Sequence, residues 1–215
     1  MRRVDFANGK ILQNILQTML PLLAAQILNL LYNIVDRIYI ARIPEIGTAA
    51  LGAVGLCFPL VILITAFTNL YGLGGSPLFA IERGRQNGRR ASDYMNTSFF
   101  LLLVTAVLLT VLGEIFGRPV LRLFGASEAA LTFALPYLRI YLAGTVFSMI
   151  ATGMNPFITA QGFSLVGMTT ILIGAGANIL LDPLFIFVFG LGIRGAAAAT
   201  VISQFLSAQI GRAHV

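Results

Sequence analysis

The segment NILLDPLFIF, residues 178–187, sets an aspartate and then a proline inside an otherwise apolar run. Asn178 and Asp182 are four residues apart, so a helix would carry both on one face, with Gly174 and Thr170 continuing it toward the helix start. Pro183 has no amide hydrogen and would leave the carbonyl of Ile179 without its usual helical donor. An amide, a carboxyl and a freed carbonyl within one turn form a set of oxygens suited to a proton, a sodium ion or a water cluster. Asp182 thus reads as a coupling residue, and Pro183 as the residue that loosens the helix around it.

A second polar set lies in AAQILNLLYNIVDRIYI, from Ala24. At about 100° per residue, Gln26, Asn29, Asn33 and Asp36 fall within an arc of about 80°, bordered by Tyr32 and Tyr39. Lipid cannot face such a stripe, because each unpaired polar group in hydrocarbon costs several kcal/mol. The stripe must look onto a cavity or another helix. Amides there can serve as helix–helix glue. The acids are read differently, since an ionisable group inside a span marks an ion or proton path by default. Pro21 shares this helix, so a bend there would change the cavity directly.

Helices crossing a membrane must position these residues. The chain has 215 residues, 58% hydrophobic and 10% charged, with a mean hydropathy of +0.90. A soluble domain carries about a quarter charged residues. Spanning about 30 Å of hydrocarbon takes roughly 20 helical residues, and several stretches are that long. The expected fold is an all-α integral membrane six-helix bundle, with helices over about 14–40, 49–79, 93–116, 130–154, 166–189 and 195–210. Residues 1–13 form an N-terminal segment on the cytoplasmic side and 14–210 the bundle. The sixth helix is short, and 211–215, with the sole histidine His214, read as a truncation tail. Residues 116–128 and 155–167 are expected as connections, Ser127 capping the fourth helix with Glu128 in its first turn.

The first and fifth segments are both odd-numbered and run in the same direction. Asp36 lies about one turn and Asp182 about two turns before the end of its helix, so both reach similar depth. The net charge of +6 comes largely from arginines at segment ends, as in ERGRQNGRR at 82–90. That placement suits anionic headgroups rather than nucleic acid, and the basic bias puts the N-terminus inside. Cys57 sits in an apolar run as a small packing residue. No HExxH, CxxC or P-loop occurs, and GLGG at 72–75 follows no strand, so no enzyme or nucleotide site is expected. No cofactor or metal centre is expected, beyond Na⁺ as an alternative to H⁺ at Asp36, Asn178 and Asp182.

MLPLLAAQILNLLYNIVDRIYIARIPEIGTAALGAVGLCFP, LRLFGASEAA, YLRIYLAG and NILLDPLFIFVFGLGIRGAAAATVISQ together resemble the multidrug and toxic-compound extrusion (MATE) family over about residues 11–210. The resemblance implies the N-terminal half of a twelve-helix, two-lobed transporter of a bacterial cytoplasmic membrane. It implies export of amphipathic, often cationic compounds by alternating access, in exchange for H⁺ or Na⁺. It maps the coupling site onto Asp36, Asn178 and Asp182, and the bending proline onto Pro21. The implied partners are a small amphipathic substrate, membrane lipid and a C-terminal lobe lacking from this chain. A lipid-linked-sugar flippase and a non-transporting membrane fragment are the alternatives. A flippase would call for a cationic cavity, whereas the first helix offers amides and an acid.

Overall fold

The computed structural model describes residues 10–212. Residues 1–9 of the expected N-terminal segment, and 213–215 with His214, lie outside the described residues. The elements are α1 (Ile11–Ala41), α2 (Gly47–Gly84), α3 (Gly88–Leu123), α4 (Glu128–Ala143), α5 (Thr145–Gly153), α6 (Asn155–Ala160), α7 (Ser164–Pro183), a π-helical turn (Leu184–Val188) and α8 (Ile193–Arg212). Four of them, α1, α2, α3 and α7 with its π turn, are each long and apolar enough to cross a membrane. The α4 unit and the α5–α6 unit, bent by 55° against each other, make a fifth span when taken together. The α8 helix, with 20 residues, is less apolar than these.

Large apolar side chains point outward along the whole length of the spans. Ile11, Leu20, Leu30, Phe100, Leu108 and Ile115 are each more than half exposed. The interior is built from smaller residues and a few large ones: Ala50, Ala53, Cys57, Ala106 and Ala134 beside Leu102, Leu138, Met149 and Phe157. Lipid is as apolar as leucine, so helices gain from close approach rather than from hiding leucines, and small residues permit that approach. At Gly72 a Cβ would come within 2.6 Å of the Gly153 carbonyl, which shows how tightly α2 seats on the end of α5.

The α1 helix packs chiefly on α7, α2 on α3, and α8 against α4, α5 and α7. The rest of α1 is uncovered: only Ala25 and Ile40 are buried among its 31 residues. It continues as a helix through Pro21.

Four expectations about element boundaries need correction. The fourth span, expected as one helix over 130–154, breaks at Gly144 and again at Met154. At the first break Thr110 of α3 donates to the Leu142 carbonyl at 2.9 Å, supplying a donor where the helix stops. A Cβ on Gly144 would lie 2.3 Å from Val201, so α8 presses directly on the break. Residues 155–167, expected as a loop, contain α6 and the start of α7. Pro156 falls at the first turn of α6, where a missing amide hydrogen costs nothing. The 116–128 connection is helical through Leu123, despite Pro119, because Gly117 and Leu121 are buried against α4. Its end is as expected: Ser127 accepts from the Ala130 amide at 3.2 Å, and Glu128 follows in the first turn. The first helix also begins earlier than 14, taking in Ile11, Leu12 and Gln13.

The turn from the π segment to α8 uses Gly190 and Gly192 at φ +65° and +55°, which side-chain-bearing residues rarely adopt. Gly195 then brings α8 against this turn, where a Cβ would meet the Phe185 carbonyl at 2.6 Å.

Candidate functional site

The α1–α7 contact places Asp36 against Asp182. Their carboxyls are within hydrogen-bonding reach of each other, and such a bond forms only when one of the two carries a proton. Asp182 is 0% exposed and Asn178 2%, while Asp36 is half-buried. Asn178 donates from Nδ2 to Asp182 Oδ1 at 3.2 Å and lies 3.4 Å from Thr200 Oγ1 of α8. Three buried oxygens in this group receive no donor: Asp36 Oδ1, Asn178 Oδ1 and Asp182 Oδ2. Buried polar atoms are satisfied in the great majority of native cases. Three acceptors are thus left open in one place, around the contact between the two carboxyls.

The chain after Asp182 departs from α-helical geometry. Pro183 closes α7, and the following π turn carries a bond from the Phe189 amide to the Leu184 carbonyl at 2.9 Å. Turns of this kind interrupt the regular ladder and occur frequently at functional sites.

The remaining residues singled out in the sequence divide into three groups. Tyr32 is half-buried beside Asp36 and Asp182 and bonds to Asn33. Asn33 is exposed and donates to Asn29, at 2.7 Å to its carbonyl and 3.0 Å to its side chain, while Gln26 is also exposed. These amides form the open edge of the stripe rather than its packed side. Tyr39 packs edge-on against Phe187 of the π turn, with ring centroids 6.3 Å apart. Thr170 does not join the acids. It is 1% exposed in a separate cluster, where Asn155 donates to it at 3.0 Å and to the Gly167 carbonyl at 2.9 Å. Ser207 of α8 donates to the Thr170 carbonyl at 3.0 Å. Gly174 lies between the two clusters, against Ser207 and the Ser203 carbonyl.

Four residues were not anticipated. Tyr137 of α4, 6% exposed, neighbours both acids and Cys57. It stacks on Tyr141, with centroids 6.3 Å apart, and Tyr141 lies near Gln204 and Ser148. Thr200 and Gln204 form the α8 side of this wall. The two tyrosines on α4, and the Thr200–Gln204 pair on α8, are each spaced by four residues on one helical face, which is the signal the sequence offered. No group of three or more His, Cys, Asp or Glu side chains suited to a metal ion occurs among the described residues.

Fold and site together define a multi-pass helical membrane protein with a pair of acids buried inside its bundle. The MatE family model matches residues 21–184, and the chain belongs to that family, the multidrug and toxic-compound extrusion proteins. It is 26% identical over 217 residues to a probable multidrug resistance protein, YpnP, of Bacillus subtilis (strain 168), covering 100% of this chain and 48% of the relative. An FAD transporter of Shewanella oneidensis is 28% identical over 203 residues, covering 93% of this chain and 44% of the relative. A crystal structure of MATE in complex with MaD3S superposes with a TM-score of 0.91 at 28% identity, covering 98% of this chain and 47% of that one. The chain thus spans about half the length of the curated relatives it matches.

Proposed function

We propose that this chain is the N-terminal lobe of a cation-coupled transporter that exports amphipathic organic compounds by alternating access. The observation that carries the reading is the Asp36–Asp182 contact with its three open oxygens. A cation bound there would satisfy acceptors that nothing in the fold satisfies. Asp36 sits on a helix held mainly by α7, and Asp182 on α7 itself. Loading or unloading the site therefore alters the force between exactly two helices, which can be converted into movement of α1. The Pro21 position lets that movement take the form of a bend.

Both H⁺ and Na⁺ fit the oxygen set, and the direct contact between the two carboxyls favours a proton. Amides, tyrosines and an acid along α1 suit cationic or neutral amphiphiles. The similarity to an FAD transporter widens the cargo class beyond drugs. The basic residues gathered at the α1 start and the α2–α3 turn favour an N-terminus inside, and the bacterial relatives favour a cytoplasmic membrane. The partners in this reading are a small amphipathic substrate, membrane lipid and a C-terminal lobe.

The test uses the full-length protein that carries this chain, reconstituted in vesicles with a pH gradient and a Na⁺ gradient imposed separately. Dye export should follow at least one gradient and vanish in Asp36→Asn and Asp182→Asn. Export by both variants at the wild-type rate would remove the basis for coupling at this site.

A further inference from the structure

The bundle carries arginines at both ends, and the α3–α4 connection and the α2–α3 turn treat theirs differently. At the α3–α4 end, Arg118 and Arg122 both bind Glu128, and Arg139 reaches Glu114 at 3.3 Å. At the α2–α3 turn only Arg85 has an acid, Glu82 at 2.9 Å, and that carboxylate is already buried. Arg83, Arg89 and Arg90 have no acidic partner among the ion pairs of the described residues, although Asp93 follows closely in sequence. Three guanidinium groups are therefore held at one end of the bundle with their charge unanswered.

A concavity of about 340 Å³ opens at this turn, lined by Phe79, Arg83, Gln86, Gly88, Ala91 and Ser92. Its floor is apolar and buried: Phe79 is 3% and Ala91 2% exposed. Its rim is polar and exposed: Arg83, Gln86 and Ser92. Arg83 lies over the Phe79 ring, 5.7 Å from its centroid, which directs the guanidinium across the opening. Both α2 and α3 are long and apolar enough to cross a membrane, so the turn joining them emerges at one membrane face. Leu78 and Ile81, just before the turn, are exposed at 45% and 50%, as acyl-chain contacts would be.

We propose that this concavity is a binding site for the headgroup phosphate of an anionic phospholipid, with Arg83 as its principal ligand. The bidentate fork of a guanidinium matches phosphate oxygens. Arg89 and Arg90 supply the surrounding positive field, Ser92 and Gln86 add hydrogen-bond donors, and the apolar flank takes the acyl chains. A soluble anion would use the arginine but would gain nothing from Leu78, Ile81 or the position at the membrane boundary.

The full-length protein, purified in mild detergent, should be loaded with phosphatidylglycerol or phosphatidylcholine and its retained lipids counted by native mass spectrometry. Phosphatidylglycerol should be retained preferentially. Arg83→Gln should weaken that retention roughly fivefold, Ser92→Glu should do likewise, and Arg122→Gln at the paired end should leave it unchanged. Equal retention of phosphatidylcholine, or wild-type retention in both Arg83→Gln and Ser92→Glu, would overturn the proposal. Displacement of the lipid by millimolar inorganic phosphate would overturn it as well, in favour of a soluble-anion site.

Discussion

The α7 helix carries two buried polar clusters, and they are built to opposite rules. Toward its start, Thr170 and the Gly167 carbonyl are tied to Asn155 and Ser207 by neutral hydrogen bonds; Thr159 Oγ1 is the one side-chain atom left without a partner there. Toward its end, Asn178 and Asp182 meet Asp36 with a single bond between amide and acid and three oxygens left open. A satisfied neutral cluster fastens helices together. An unsatisfied acidic one raises the free energy of the empty state, a cost that a bound cation would lower in the function proposed above. Burial alone does not separate glue from site, since Asn178 and Asp182 are as buried as Thr170. The count of unanswered acceptors does.

Substitutions can test that contrast. The largest effect is expected for Asp182→Asn and Asp36→Asn, which should reduce ion-driven export in vesicles to background while membrane insertion, measured by yield and monodispersity, stays normal. Asn155→Leu should do the reverse: it removes two hydrogen bonds and should cost about 1–3 kcal/mol of stability. Thermal unfolding in detergent would show this loss, with export per folded molecule retained. Tyr137→Phe sharpens the acid cluster's boundary: loss of one hydroxyl beside the pair should slow export by roughly 2- to 10-fold, read as an initial rate under a fixed gradient. Ser207→Ala is the mildest, with about 0.6 kcal/mol expected for one interhelical bond in a membrane bundle. If Asn155→Leu abolished export and Asp182→Asn did not, the assignment of the two clusters would have to be exchanged.

Asp36, Asn178 and Asp182 were legible in the sequence because acids are costly inside spans and stand out against the apolar background. Steps of four residues also grouped Thr170 with Asp182, but each step drifts by about 40°, so three of them turn Thr170 about 120° away, and they say nothing of depth. The two lie 12 residues apart, which is about 18 Å along the axis. That distance puts Thr170 in the other cluster. Tyr137 and Thr200 gave no comparable warning, because tyrosine and threonine are cheap to place in a span and only tertiary contact reveals what they touch. The breaks in the fourth span were hidden for a related reason. The span breaks at Gly144, where the missing side chain leaves room for Val201 of α8, a neighbour far away in the chain. Pro156 marked an interruption correctly, but what it opened was a helix.

The seat of Gly195 against the Phe185 carbonyl has a mechanical consequence. With no side chain to cushion that contact, the far end of the acid-bearing helix and the near end of α8 form a clasp instead of a slack tether. A shift of this end of the helix would be felt by α8, which at Val201 packs against Gly144 in the crook of the fourth span.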